Sequence, residues 1–164
     1  MLIIFGGLPG VGKTTVAREL ARRIGAVFVR IDSIEQAIRD GSGDGEWVGE
    51  AGYLVGYAVA GDNLRLGRTV VADSVNPLAI TRDAWVAVAE RAGVRAMEVG
   101  VICSDAAEHR RRVEGRVADI SGAPLPTWNE VMAREDDAWE RERVVIDTAK
   151  CSVEEAVERI VSLV

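Results

Sequence analysis

GLPGVGKT, residues Gly7 to Thr14, matches the pattern GxxxxGK[ST] and directly follows the apolar run Met1 to Phe5. A short buried strand that turns through glycines into a helix is the context that a phosphate-binding loop requires. Glycines allow positive φ, so successive backbone N–H groups and the positive end of the following helix face one anion. The stretch therefore predicts a nucleoside triphosphate site in place of an ordinary glycine-rich turn.

The polar residues of this loop have distinct expected roles. Lys13 is expected to reach the β- and γ-phosphates, and Thr14 to supply a hydroxyl ligand to Mg²⁺. Only two of the 20 basic residues are lysines, Lys13 and Lys150, so a compact ammonium stands where a planar guanidinium would fit poorly. The predicted nucleotide-binding residues are Gly7, Pro9, Gly10, Val11, Gly12, Lys13, Thr14 and Thr15, and Lys13 is also predicted to be catalytic.

Size and composition limit the class of protein. With 164 residues, 48% of them hydrophobic, the chain suits a single domain, residues 1–164. No basic segment precedes the opening apolar run and no run approaches about 18 apolar residues, so we expect a cytoplasmic protein without a membrane span. The net charge of −6 makes a nucleic acid an unlikely partner. Two unpatterned cysteines and the single His109 predict neither a disulfide nor a zinc site.

Apolar, β-branched runs alternate with helical patterns along the chain. The runs are Leu2–Phe5, Val27–Ile31, Thr69–Ala72, Ala96–Ile102 and Val144–Ile146. This alternation predicts a parallel sheet covered by helices on both faces. Gly25 is expected to end the first helix, Asn76-Pro77 to begin a later one, and Ser152 with Glu155 to form the capping box of the last.

Two polar stretches predict loops between these elements. Asp40–Glu46 is rich in glycine and predicts a mobile loop before a helix that begins near Trp47. Asp119–Thr127 contains two prolines and predicts an irregular segment of the kind that closes over a substrate.

Two aspartates follow apolar runs, at the edge where open α/β sheets bind their ligands. Asp32 could orient or deprotonate an acceptor hydroxyl, but it could also be the N-cap of the next helix, a role that Ser33 could fill instead. Asp73 ends the third run in the form that supports the metal shell of a phosphoryl-transfer site, although a turn residue is the alternative.

Arginines are concentrated in one segment, in which Arg112 and Arg116 stand four residues apart. If the segment is helical, these two lie on one face and could converge on phosphate oxygens. The alternative is a solvated basic face with acidic partners nearby. The candidate partners are Glu108, Glu114 and Asp119.

The order of these features resembles the small P-loop kinases of the zeta-toxin, chloramphenicol phosphotransferase and gluconate kinase type, and their bacterial relatives labelled AAA-family ATPases. The resemblance covers most of the chain. It rests on GGLPGVGKTT, Asp32, VVADSVNP, EHRRRVEGR, PTWNEVMAREDDAW and VVIDT. It implies a three-layer α/β/α P-loop NTPase fold with a five-stranded parallel sheet in the order 2-3-1-4-5 and a helical lid at about residues 105–128.

The resemblance also implies an ATP- and Mg²⁺-dependent phosphotransferase, which moves the γ-phosphate to a hydroxyl of an antibiotic, a sugar or a nucleotide-like acceptor. Asp32 would be the general base, Arg112 and Arg116 would lie on the phosphates, and Thr14 with Asp73 would organise the metal. The chain lacks the NKxD of GTPases and an LSGGQ-like signature, and it has no room for the helical lid domain of a ring ATPase. A 5′-hydroxyl polynucleotide kinase and an ATP-binding regulatory module without transfer activity remain as alternatives.

Overall fold

The structure, a computed structural model, describes residues 1–42 and 49–164. The first three residues of the predicted Asp40–Glu46 loop are helical, so the loop prediction is wrong there. The rest of that loop and the expected helix start near Trp47 lie outside the described residues. The strands of the described part are β1 (Leu2–Gly6), β2 (Val27–Arg30), β3 (Val70–Asp73), β4 (Ala96–Ile102) and β5 (Val144–Asp147). Its helices are α1 (Lys13–Ile24), α2 (Ile31–Ser42), α3 (Ala51–Arg65), α4 (Ala79–Arg91), α5 (Ala106–Glu114), α6 (Trp128–Met132) and α7 (Val153–Val161).

The strands form one parallel sheet in the order β2-β3-β1-β4-β5, which confirms the predicted order. The pairing register sets Phe5 opposite Asp73 in β3, and Asp73 opposite Arg30 in β2. These residues therefore lie at one level of the sheet, at the carboxyl ends of three neighbouring strands. This is the edge at which open α/β sheets bind ligands.

Alternate residues of β1 pack into two separate apolar clusters, because successive side chains of a strand point to opposite faces. Ile3 and Phe5 pack with residues of α1 and α7, whereas Leu2 and Ile4 pack with α3 and α4. All four side chains are fully buried. Burial on both faces explains why this strand reads as a continuous apolar run.

Two predicted helix ends, each defined by residues within one turn of the helix terminus, are confirmed. Gly25 has φ 63° at the end of α1, and Ser152 with Glu155 forms a complete capping box at the start of α7. None of the helices within residues 1–42 and 49–164 has both the length and the apolar character needed to cross a bilayer.

Two predicted helix starts are wrong. The helix expected to begin at Asn76-Pro77 begins at Ala79, because Asn76 is fully buried with φ 49° and its Nδ2 donates to the carbonyl of Phe5 at 2.7 Å. The second helix begins at Ile31, directly after β2, so neither Asp32 nor Ser33 is its N-cap.

Candidate active site

The glycine-rich loop joins β1 to α1 in a conformation that suits only glycine. Gly7, Gly10 and Gly12 have φ of 138°, 84° and 90°. The N–H of Gly7 donates to the carbonyl of Val75 at 2.9 Å, whereas the N–H groups from Gly10 to Thr15 donate to no other described residue. Together with the positive end of α1, these unbonded amides form an anion-binding concavity.

Lys13, the first residue of α1, forms a buried ion pair with Asp73, the last residue of β3. Their side chains are 7% and 2% exposed, and Nζ of Lys13 is 3.6 Å from Oδ1 of Asp73. Both carboxylate oxygens of Asp73 are buried without a hydrogen-bond partner in the described part of the chain. Buried oxygens normally have partners, so this pair of acceptors indicates a site for a group that donates or coordinates.

The donors near the loop fit Mg²⁺. Thr14 lines the cleft beside Lys13, and Mg²⁺ is usually held by one or two protein oxygens together with waters and substrate phosphates. The unpartnered oxygens of Asp73 could accept hydrogen bonds from such waters. No group of three or more metal-ligating side chains occurs among the described residues.

Asp32 lies in the first turn of α2 and lines the cleft. Its side chain is half-buried and accepts no hydrogen bond within residues 1–42 and 49–164, and its Oδ2 is 3.7 Å from Nη2 of Arg30. Because the helix begins before it, the capping alternative does not apply. The carboxylate therefore remains available to a ligand in the cleft.

Arg30 is the site residue that sequence reasoning missed. It ends β2 with 7% of its surface exposed, and its Nη1 and Nη2 donate to the two oxygens of Asp119 at 2.8 and 3.0 Å. These hydrogen bonds hold the pKa of Asp119 well below its usual range. A charged residue that ends the apolar run VFV, two positions before Asp32, was the available signal.

Arg112 reaches the cleft but is bound by protein groups. Its Nε donates to Glu108 at 2.7 Å and its Nη1 to Oγ1 of Thr148 at 2.8 Å. Thr148 in turn donates to the carbonyl of Val11 at 2.7 Å, which links α5 to the glycine-rich loop. Hydrogen bonds from Arg111 and Arg112 lower the pKa of Glu108 to about 2. Thr148, directly after β5, also escaped the sequence reasoning.

Arg116 lines the same cleft but does not share a helix face with Arg112, because α5 ends at Glu114. The side chain of Arg116 makes no hydrogen bond or ion pair with another described residue. Of the expected acidic partners, Glu108 and Glu114 bind arginines of α5, whereas Asp119 binds Arg30 and Arg18.

His109 supports the loop from below. It is buried, and its Nε2 lies 2.8 Å from the carbonyl oxygen of Pro9, which can only accept, so Nε2 carries the proton. The ring packs edge-on against Trp128. His109 therefore positions the glycine-rich loop.

These groups surround one cleft of about 510 Å³. Pro9, Gly10, Gly12, Lys13, Thr14, Thr15, Asp32, Arg112 and Arg116 are the sequence-predicted residues that line it. Three others do not contribute side chains to its wall. Gly7 and Asp73 are not among its lining residues, and Val11 packs into the apolar cluster on the α1 face.

The sheet order, the loop conformation and the helix that follows define a P-loop NTPase fold. The model of a family described as an AAA domain, AAA_33, matches residues 2–138, and the chain belongs to this family. One curated relative, provisionally named an adenylate kinase, comes from Pyrococcus furiosus and is 40% identical over 70 residues. The match spans 40% of this chain and 39% of that relative.

Solved structures with the same fold include small kinases. One from Chloroflexus aurantiacus, provisionally named a kinase, has a TM-score of 0.76 at 19% identity and covers 99% of this chain and 97% of its own. A gluconokinase from Sinorhizobium meliloti has a TM-score of 0.64 at 20% identity, and the match covers 98% of this chain and 89% of the gluconokinase. The APS kinase CysC from Mycobacterium tuberculosis was solved with AMPPNP and APS. It has a TM-score of 0.63 at 18% identity, and the match covers 99% of this chain and 95% of CysC.

Proposed function

We propose that this protein is an ATP- and Mg²⁺-dependent phosphotransferase that moves the γ-phosphate to a hydroxyl of a small molecule. The observation that carries the proposal is the meeting, in one cleft, of the unbonded amides from Gly10 to Thr15, the buried ammonium of Lys13 and the unbonded carboxylate of Asp32. The similar kinase structures support it, since CysC was solved with a nucleotide and a small second ligand.

The loop is the proposed nucleotide site. Its amides donate to the β- and γ-phosphates, and Lys13 adds a positive charge whose side chain is already desolvated. Thr14 and Asp73 would hold Mg²⁺, directly and through water. When bound, Mg²⁺ neutralises charge that develops on the phosphate oxygens.

Asp32 is the proposed general base. The acceptor oxygen forms a bond to the γ-phosphorus while the bond from that phosphorus to the bridging β–γ oxygen breaks, and ADP leaves with the electron pair. The proton of the acceptor hydroxyl passes to the carboxylate of Asp32. A half-buried carboxylate without hydrogen bonds from its own chain suits this role.

The arginines of residues 105–128, the proposed lid of a single catalytic domain spanning 1–164, have different parts. Arg112 is held beside the loop by Glu108 and Thr148, which supports a role for its charge at the proposed phosphate site. Arg116 has a side chain without a described partner and can move onto the transferring group. Both charges stabilise the transition state.

Transfer of labelled γ-phosphate from ATP with Mg²⁺ tests the proposal. The acceptors are aminoglycosides, phenicols, sugars, nucleosides, UDP-sugars and 5′-hydroxyl oligonucleotides. We expect one small-molecule class to be labelled, and Asp32→Asn to lower transfer by about 10²-fold or more with ATP affinity nearly unchanged. Asp62→Asn is the control, since Asp62 is exposed on α3 and pairs with Arg65 outside the cleft.

Three results would contradict the proposal in different ways. Labelling of oligonucleotides alone would identify a polynucleotide kinase. Equal transfer by the wild type and Asp32→Asn would remove the base. ATP binding without any transfer, and a cellular role that survives Asp32→Asn, would favour a regulatory module.

A further inference from the structure

We infer that the acceptor carries an anionic group, a carboxylate, sulfate or phosphate, and that Arg30 and Arg18 bind it where the carboxylate of Asp119 now lies. This inference rests on the proposed phosphotransferase and specifies the chemical class of its acceptor. The location is adjacent to the proposed base, since Oδ2 of Asp32 is 3.7 Å from Nη2 of Arg30.

The carboxylate of Asp119 is bound as a small anionic ligand would be. It accepts two parallel hydrogen bonds from Arg30, at 2.8 and 3.0 Å, and a third from Nη2 of Arg18 at 2.9 Å. The planar guanidinium fork matches the oxygens of carboxylates, sulfates and phosphates. The pair of arginines is therefore a formed oxyanion site, occupied here by a side chain of the same protein.

If Asp119 moves away, the guanidinium of Arg30 requires another anionic hydrogen-bond acceptor. The side chain of Arg30 is 94% buried, and a buried charge without a partner is costly. Its Nε is also buried and donates to no acceptor in the described part of the chain, so its hydrogen-bonding capacity is not exhausted. The nearby carboxylates of Asp32 and Asp73, at 3.7 and 3.9 Å, make no hydrogen bond to Arg30. An acceptor without a negative group would therefore remove the two hydrogen bonds of the guanidinium to a carboxylate once it displaced Asp119.

Asp119 is suited to leave. It stands between the end of α5 at Glu114 and the start of α6 at Trp128, in a segment without helix or strand. Its side chain is 43% exposed, although it binds an arginine that is almost fully buried. A ligand anion can replace this carboxylate without breaking a secondary-structure element.

The charge of the cleft agrees with an anionic acceptor. Six cationic side chains line it against three acidic ones, in a chain whose net charge is −6. The cations are Lys13, Arg18, Arg30, Arg39, Arg112 and Arg116. Lys13, Arg112 and Arg116 are assigned above to the triphosphate. Arg18, Arg30 and Arg39 come from α1, β2 and α2, and Asp32, the proposed base, also lies in α2. Positive charge therefore also surrounds the part of the cleft in which the acceptor is proposed to bind.

Sulfate binding tests the site directly. Because free sulfate would also bind the glycine-rich loop, the protein is first saturated with Mg·ADP and then titrated with sodium sulfate in a calorimeter. We expect Asp119→Ala to bind sulfate about 10-fold more tightly than the wild type, since the internal competitor is gone. Adding Arg18→Gln to Asp119→Ala should reverse the gain.

Controls separate this site from general charge effects. Arg18 is 56% exposed, so Arg18→Gln keeps the inference testable even if Arg30→Gln fails to fold. Arg22→Gln is the matched control, because Arg22 also forks onto a carboxylate, that of Glu19, on the same helix outside the cleft. Absence of sulfate binding in Asp119→Ala, or equal weakening by Arg22→Gln, would overturn the inference.

Transfer assays on matched acceptors separate this inference from the proposed function. Each pair has a neutral and an anionic member: glucose and gluconate, ribose and ribose 5-phosphate, adenosine and AMP. We expect kcat/KM to favour the anionic member by about 100-fold, and Arg18→Gln to raise the KM for that acceptor but not for ATP. Preference for the neutral members would overturn the anionic acceptor and leave the phosphotransferase. Sulfate binding without any transfer would count against the phosphotransferase and support the anion site.

Discussion

Nζ of Lys13 lies 3.6 Å from Oδ1 of Asp73, and neither oxygen of this buried carboxylate has a hydrogen-bond partner among the described residues. The ammonium of Lys13 forms an ion pair with Asp73 at a distance too long for a hydrogen bond, so its N–H donors remain free of that carboxylate. It can therefore bind a phosphate while it still compensates the charge of Asp73. Lys13 therefore has two anionic partners: Asp73 in the protein and a phosphate of the proposed nucleotide.

Lys13→Ala should lower both nucleotide affinity and stability. Asp73 would lose its nearest cation and keep only the Nε of Arg30, 3.9 Å from its Oδ2, and weaker compensation of this buried carboxylate should cost about 1–3 kcal/mol. Denaturant unfolding and ATP titration measure the two effects, with Lys150→Ala as the control because Lys150 is exposed. The double variant Lys13→Ala/Asp73→Asn should regain part of the stability, and a purely additive loss would contradict the coupling.

Gly10→Ala should destabilise the protein more than Gly25→Ala does. Both glycines have positive φ, 84° and 63°, which costs an alanine about 1–2 kcal/mol. A Cβ at Gly10 would lie 2.5 Å from Cγ2 of Val113, whereas nothing lies within 4 Å of one at Gly25. The clash adds about 1–3 kcal/mol and shifts the loop amides, so only Gly10→Ala should lower ATP affinity. Equal melting temperatures for the two variants would contradict this account.

Thr148→Val should loosen the link from α5 to the loop. The hydroxyl accepts from Arg112 and donates to Val11, and the loss of these bonds should cost about 1–2 kcal/mol of unfolding free energy. Phosphoryl transfer should fall more than ATP affinity, because Arg112 loses its hydrogen bond to the hydroxyl and is held beside the loop only by Glu108 and the carbonyl of residue 148. Thr148→Ser keeps the hydroxyl and should behave as the wild type in melting and transfer assays. Identical defects in the Val and Ser variants would exclude a role for the hydroxyl.

The link between Arg30 and Asp119 should give an acid-dependent stability. The pKa of Asp119 is below its ordinary value of 3.8, so the ionised form is favoured in the folded state. The stabilisation is therefore complete at neutral pH, begins to fall below about pH 5, and is lost as the pH passes through the lowered pKa. Denaturant unfolding from pH 7 to pH 2 should show the gap between the wild type and Asp119→Asn narrowing in acid. A gap that stays constant to pH 2 would show that the charge of Asp119 does not stabilise the fold.

Most of the fold could be predicted because its signals are local. The loop motif, the apolar runs and the glycine after α1 each encode a backbone conformation within a few residues. The failures occur where a distant contact overrides the local signal. Asn76 reads as a helix cap, but its side chain binds Phe5, 71 positions away. A hydrogen bond between residues so far apart leaves no pattern in the neighbouring sequence from which it could be predicted.

The site was only partly predictable for the same reason. The structure brings Lys13, Asp32 and Arg112 to one cleft, as their motifs indicated, although their roles remain predictions. The contact between Arg30 and Asp119 joins residues 89 positions apart and carries no spacing signature. Sequence reasoning assigned Asp119 to the arginines beside it, whereas the fold gives it to β2 and α1.

Arg30 ends β2, an edge strand of the sheet, whereas the glycine-rich loop follows the central strand β1. An edge strand pairs with one neighbour only, so a substitution at its end disturbs the contacts of one adjacent strand, whereas a substitution in β1 disturbs those of two. Substitutions at Arg30 would change the proposed acceptor side of the cleft and leave the residues of the proposed nucleotide site in place. If the proposed roles hold, duplicated copies of this gene should diverge in their acceptor sooner than in their nucleotide.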